Sequence, residues 1–532
     1  MRRLLLGAAA MAATVPLLGA CVPWSSSGAE EGAGGPEAHS AMPAPGECDT
    51  DPAAPKREMR GAWIASVRNI DWPSEPGLSK QEQQRELGDM LDRAAGLGLN
   101  AVFLHVRPTA DALYDSGKEP WARYLTGEQG GDPGYDPLAY AVRQAHRRGI
   151  ELHAWFNPYR VGWKDPDLEN LVPGHPARKH PAWLIEYGEE GYLDPGNPDV
   201  RKWVTDVVLD VVERYGIDGV HFDDYFYPYP AEGQRFDDDR SFRRHGDGFD
   251  SRADWRRHNV DTLVAGIHER IQKTKPWVRF GISPFGIWRN ADSDPAGSDT
   301  SGLESYSAQY ADTLAWIREG TVDYIVPQLY WPRGFDTADY AELVPWWSEQ
   351  VAGTDVDLYI GQSAYRVGEE GFRGADALSR QLDLNAEHSE VGGDVYFSIS
   401  DLTGRAEEAV AAVGDAHYTR PALPPASDSA GDPPEPVSEL SAERVSPGKV
   451  RLKWNKVEDA RFYAVYRVPG EGGDPCDLAD ASHLIEVTGA GGDRSAFTDT
   501  DPADGPVRYH VTALDHHRAE SGPGPAARFP PG

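Results

Sequence analysis

The chain has 532 residues, 52 basic and 85 acidic side chains and a formal net charge of −33, so it exceeds one ordinary core and at least two domains are expected. So acidic a surface repels nucleic acid and anionic membranes and excludes both as charge-driven partners. With 40% hydrophobic and 10% aromatic residues the composition is that of a globular protein, not a disordered one.

In chain order, Arg2 and Arg3 precede the apolar run Leu4 to Leu18, and Leu18-Gly19-Ala20-Cys21 follows where a secretory signal is cleaved. This start resembles a bacterial lipobox. The resemblance implies removal of residues 1–20 and a lipid on Cys21 that anchors the mature protein to the outer face of the cytoplasmic membrane; a plain signal peptide with a chance cysteine is the alternative. No other stretch reaches the roughly 18 apolar residues that span a bilayer. Residues 21–55, rich in Gly, Ala, Pro, Ser and Glu without periodicity, read as a flexible tether. Cys48 in that tether and Cys476 near the C-terminus could pair outside the cytoplasm, but sequence alone does not establish their distance.

Over residues 56–418 short apolar runs alternate with longer helical patterns. The runs are Met59 to Ser66, Ala101 to Val106, Glu151 to Phe156, Gly219 to Phe222, Val278 to Ser283, Tyr324 to Gln328, Leu358 to Gly361 and Asp394 to Ser398. Helices are expected between them, among others at Gln81 to Leu97, Pro137 to Arg148, Val200 to Tyr215 and Trp255 to Thr274. This order predicts a (β/α)8 barrel of the TIM type. A doubly wound open sheet competes, yet no glycine-rich phosphate loop follows the first strand.

Residues 419–433, with Pro421, Pro424, Pro425 and Pro433, read as a second linker. Residues 434–532 read as all β, since Val450 to Trp454, Phe462 to Val468 and Val507 to Ala513 alternate. Trp454, the aromatics of the next strand and Tyr509 resemble a fibronectin type III domain, a small sandwich whose expected role is that of a spacer.

In a TIM-type barrel the working groups lie at the C-terminal ends of the strands. Gly216-Ile217-Asp218-Gly219-Val220-His221-Phe222-Asp223-Asp224-Tyr225 is a short buried strand running into two adjacent carboxylates, which cannot be hidden in apolar packing. Other strand ends supply Arg107, Asp111, His153, Asn157, Arg160, Gln328, Tyr330 and Trp331. Polar groups beside aromatics suit a sugar, whose C–H faces stack on rings and whose hydroxyls want planar partners. Tyr330 and Trp331 are expected to line the cleft, whereas Trp155 is expected in the core.

Arg60-Gly61-Ala62-Trp63, Val106-Arg107-Pro108 with Asp111, Gly134-Tyr135-Asp136-Pro137-Leu138, His153 to Arg160, Asp218 to Tyr225 and Pro327-Gln328-Leu329-Tyr330-Trp331 together resemble the bacterial glycosyl hydrolase-like family ten. The resemblance implies a (β/α)8 barrel, a secreted or lipid-anchored location, and hydrolysis of glycosidic bonds in envelope or extracellular glycans, peptidoglycan strands foremost. Against the chitinase signature Asp-Gly-x-Asp-x-Asp-x-Glu, the chain places Tyr225 where the acid Glu belongs. Tyrosine, with a pKa near 10, is a poor proton donor in that role, so the substrate-assisted route is disfavoured.

The expected chemistry is therefore acid/base hydrolysis with Asp223 and Asp224, one of them holding a proton because two close carboxylates repel. Both can face one cavity only if the strand has broken there, since successive strand residues point to opposite sides. Asp111 is the first choice for a more distant partner, Asp401 the second and Glu304 the third. Arg107, His153, Asn157, Arg160, His221, Tyr225, Gln328, Tyr330 and Trp331 are assigned to substrate. No cofactor is expected, and no calcium loop at Asp237, Asp238 and Asp239, which lack ordered ligand spacing. Two other readings stand beside this one: a metal-dependent hydrolase or deacetylase using His153, His221, Asp223 and Asp224, and a glycan-binding lipoprotein without catalysis.

Overall fold

The computed structural model describes residues 48–51, 54–163, 170–427, 431–470, 472–490, 494–502 and 505–530. The signal segment, Cys21 and most of the tether lie outside the described residues.

The strands in chain order are β1 (Met59–Ile64), β2 (Ala101–Arg107), β3 (Glu151–Phe156), β4 (Arg160–Trp163), β5 (Leu184–Tyr187), β6 (Glu190–Leu193), β7 (Gly219–Phe222), β8 (Arg279–Ile282), β9 (Tyr324–Ile325), β10 (Asp357–Gln362) and β11 (Val391–Tyr396). Eight of them close a parallel barrel in the order β1-β11-β10-β9-β8-β7-β3-β2. The fold is a (β/α)8 barrel. Helices begin where the sequence offers caps: Ser79 and Glu82 form a capping box before Lys80–Gly96, and Asp136, Asn197 and Ser251 cap Pro137–Arg147, Pro198–Arg214 and Arg252–Thr274.

Every expected barrel run contains a strand, with two shifts at the edges. β9 is cut to two residues because Pro327 has no N–H for the ladder; Gln328 instead makes single bridges to Phe285 and Gly361. β11 starts earlier than the apolar pattern indicated, because Gly392 and Gly393 carry no hydrophobic signal; a Cβ on Gly393 would lie 2.0 Å from the Met59 carbonyl oxygen. Between β3 and β7 the chain also forms a three-stranded antiparallel sheet, β4-β6-β5, that the sequence did not announce.

Period-two alternation sorts the strand side chains. Leu152, Ala154 and Phe156 on β3, and Val220 and Phe222 on β7, face the helices in the main core. Trp63, Phe103, Trp155 and Tyr324 pack inside the barrel, with His153 and His221 among them. Glycines make that filling possible: a Cβ on Gly219 would sit 2.2 Å from His153 Nδ1, and one on Gly281 2.1 Å from the Tyr324 ring.

Among the described residues the C-terminal module forms seven strands: β12 (Ser441–Ser446), β13 (Lys449–Asn455), β14 (Phe462–Pro469), β15 (Leu484–Gly489), β16 (Arg494–Asp499), β17 (Val507–Leu514) and β18 (Ala527–Phe529). They form two antiparallel sheets, β12-β13-β16 and β15-β14-β17-β18, around Trp454, Tyr463, Val465 and Tyr509. The module packs against the barrel. It docks on the end of the barrel where β3 and β7 begin: Arg461 binds Asp218 Oδ1 at 2.9 and 3.0 Å, and Arg518 pairs with Glu151 while donating to the carbonyls of Trp277 at 2.9 Å and Asp218 at 3.1 Å. Lys56 reaches Glu520 at 2.7 Å, and a Cys48–Cys476 disulfide joins residues 428 apart in sequence, answering the distance question the sequence left open.

Candidate active site

β7 ends at Phe222, and the two residues after it, Asp223 and Asp224, both line one cavity of about 310 Å³ at the C-terminal ends of the strands. The strand stops where it must for adjacent carboxylates to share a hollow. Its walls carry Trp63, His105, Trp155, Arg160, Tyr225, Tyr229, Gln328, Tyr330, Tyr365 and Phe397. A larger hollow of about 510 Å³ near Arg148, Arg420 and Glu486 lies between barrel helices and the module, away from these strand ends.

The two carboxylates are held differently. Asp223 accepts from Trp155 Nε1 at 3.1 Å, Asn157 Nδ2 at 3.2 Å and the Tyr225 backbone N–H at 3.3 Å. Burial first, and then the charge of Asp224, push the Asp223 carboxyl up to about 7 despite Arg160 and these donors. Asp224 accepts from the Tyr229 hydroxyl and from Gln328 Nε2 at 3.1 Å. Burial raises it too, and those two donors pull it back toward the ionised form. Near neutrality Asp223 therefore exchanges a proton, while Asp224 holds two donors that favour its charged form against burial. Arg160 stacks its guanidinium on Tyr225 at 4.0 Å, and its charge acts to lower both carboxyls.

Beneath the site a polar column follows the barrel axis. Trp63 Nε1 can only donate, so His221 Nε2, 3.2 Å away, accepts and the ring proton sits on Nδ1. That proton faces the Tyr324 oxygen at 3.3 Å; the Tyr324 hydroxyl donates to His153 Nδ1 at 2.8 Å; His153 Nε2–H meets Glu151 at 3.3 Å; and Glu151 pairs with Arg518 of the C-terminal module. Donor at one end and carboxylate at the other fix both tautomers in the same sense. Burial holds His153 and His221 below their usual range, which keeps both neutral. His221 also touches Ser283 Oγ at 3.0 Å, and Ser283 O accepts from Gln328, so the column reaches the side chain that supports Asp224.

Of the residues expected at the site, Asp223, Asp224, Arg160, Tyr225, Gln328 and Tyr330 line the cavity. Asn157 stands behind it, orienting Asp223. Asp111 is fully buried against Thr109 and Gln129 and does not line the cavity, although burial raises it to about 6. Asp401 instead serves the capping box at Ser398, and Glu304 accepts from Asn290, so neither lines it. Arg107 is consumed by a fully buried fork on Glu119, at 2.6 and 2.7 Å. His153 and His221 belong to the column, and Trp331 packs edge-on against Phe285. The four residues considered as metal ligands thus do not converge, and no group of three or more potential ligands in metal-holding geometry occurs among the described residues.

Sequence reading placed Trp155 in the core, and its ring does pack there, but its indole N–H is a direct support of Asp223. Trp63, Tyr229 and Phe397 were missed as well, and Tyr365 and above all His105, candidates by their place at strand ends, had been given no role. His105 is 1% exposed and stacks on Trp155 at 3.8 Å. Its place on β2, two residues after the inward Phe103, was the available signal.

The profile of the family described as Glycosyl hydrolase-like 10 matches residues 58–376. The chain belongs to that family. Its relatives include "Glycosyl hydrolase YngK" of Bacillus subtilis, 44% identical over 426 residues covering 78% of this chain and 84% of the relative. "Glycosyl hydrolase DigH" of Escherichia coli K12 is 42% identical over 362 residues, 64% of this chain and 82% of the relative. Among solved structures, the PgaB glycoside hydrolase domain of Bordetella bronchiseptica covers 68% of this chain and 99% of that domain at 14% identity and a TM-score of 0.47. Family membership supports a glycoside hydrolase-like function and a carbohydrate substrate.

Proposed function

We propose that the protein hydrolyses O-glycosidic bonds in a cell-envelope or extracellular polysaccharide, foremost the glycan strands of peptidoglycan, with Asp223 and Asp224 as its acid/base pair. The observation that carries this reading is the pair itself, two unlike carboxylates past the end of β7 in one aromatic-walled cavity. Asp223 gives its proton to the bridging oxygen as the bond to the anomeric carbon breaks. Asp224 stabilises the positive charge that develops, and a water adds to that carbon while its proton returns to the carboxylate pair. Tyr330, Tyr365 and Phe397 offer faces to pyranose rings.

In this reading the protein is exported and held on the outer face of the cytoplasmic membrane by a lipid on Cys21, and the C-terminal module is fibronectin type III-like. The test is mass spectrometry of products released from purified peptidoglycan, with and without stem peptides, and from a panel of other polysaccharides. Reducing ends that appear with the parent and not with Asp223→Asn support the proposal. Binding without any released product overturns it.

A further inference from the structure

Beside the candidate active site lies a second hollow of about 410 Å³, between the turn joining β5 to β6 and the segment Pro228–Ala231. Tyr187, Glu189, Glu190, Tyr225, Tyr229 and Pro230 line it, and Tyr225 and Tyr229 also wall the cavity of Asp223 and Asp224. We propose that this hollow is a glycan subsite that holds a pyranose unit lacking a carboxylate, the N-acetylglucosamine-type ring of a cell-wall strand. The inference rests on the proposed function, since it places a further ring of the same substrate.

Three features support it. The volume falls within the range of small-ligand sites, about 300–1,000 Å³. The walls are tied together: the Ala231 N–H donates to the Tyr187 hydroxyl oxygen at 2.7 Å, and Tyr225 meets Tyr229 edge-on at 5.5 Å, so flat ring faces stand ready for sugar C–H groups. The polar edge is acidic. Glu189 is exposed, and Glu190 is fixed by the Tyr192 hydroxyl with Arg160 as the facing cation at 4.0 Å. Carboxylates accept hydroxyl and amide protons and repel a ligand carboxylate such as a lactyl group. Alternate rings of a strand that differ in that group would thereby be held in one register.

The test uses the full chain and measures steady-state hydrolysis of long glycan strands, together with calorimetric titration of a neutral N-acetylglucosamine oligomer into Asp223→Asn. Tyr187→Ala should raise KM about tenfold with little change in kcat, while Tyr187→Phe, which keeps the ring but loses the tie to Ala231, should raise it less. Glu189→Lys should improve binding of carboxylate-bearing fragments relative to the neutral oligomer. If strands are cleaved but Tyr187→Ala leaves KM and oligomer affinity unchanged, the subsite is overturned and the proposed function stands. If nothing is cleaved, the proposed function fails, and loss of oligomer binding in Tyr187→Ala decides the subsite separately.

Discussion

Replacing Arg518 with methionine is expected to destabilise the folded chain by about 3–5 kcal/mol at pH 8, the usual cost of stripping a buried carboxylate of its cation. Arg518 and Glu151 are each about 1% exposed, so no water can take the guanidinium's place at the mouth of the barrel. Burial acts to raise Glu151, and Arg518 together with His153 more than offsets it, holding the carboxyl below its usual range. A depressed folded pKa contributes stability above the unfolded value, about 4.3, and that contribution fades as pH falls through the folded value. Without Arg518, burial lifts the Glu151 carboxyl, which takes up a proton as the pH falls and relieves the penalty, so the loss in Arg518→Met should be large at pH 8 and smaller at pH 4.5. Urea unfolding followed by tryptophan fluorescence at both pH values measures it. In Arg518→Met/Glu151→Gln the buried charge is gone while an oxygen still accepts from His153, and at least about 2 kcal/mol should return. A loss below about 1 kcal/mol at pH 8, or a double variant no better than the single one, would refute the view that the module seals the barrel through this pair.

Activity should fall on the alkaline side with a midpoint near 7, where Asp223 loses its proton, and Trp155→Phe should move that midpoint upward because one donor to the carboxylate is removed. An unmoved alkaline limb in Trp155→Phe would break the assignment of Asp223 as the acid. Asp394, raised to about 7 by burial, is protonated in the fold at pH 5 and ionised at a cost at pH 8. Asp394→Asn keeps the oxygen that accepts from Gln362 and Asn385, so its stability relative to the parent should rise by about 2 kcal/mol between those pH values, read by parallel urea titrations. Cys476→Ser opens a long covalent loop and should cost about 2–5 kcal/mol, measured against the parent under non-reducing conditions.

The cleft residues legible in sequence were those whose types conflict with a strand interior. Asp223 and Asp224 could not be buried among apolar neighbours, so their place after β7 followed from the pattern alone. Arg107 and His153 also ended or occupied apolar strands, yet they found partners from distant segments, Glu119 and the Glu151–Tyr324 column, which no local pattern encodes. Trp155 was read as core because large aromatics mostly are; that its indole nitrogen reaches Asp223 depends on where β3 and β7 lie side by side.

By itself the sequence determined the alternation of strand and helix, the closed parallel barrel, the all-β C-terminal part and the place of Asp223 and Asp224 past a strand end, because each rests on periodicity or on a local conflict between charge and burial. The tertiary structure decided which carboxylates share a cavity, which histidines are sealed into the axis and how the module docks. Those outcomes depend on contacts between residues as far apart as Glu151 and Arg518, and burial, partner and charge at such a contact exist only once the chain has closed.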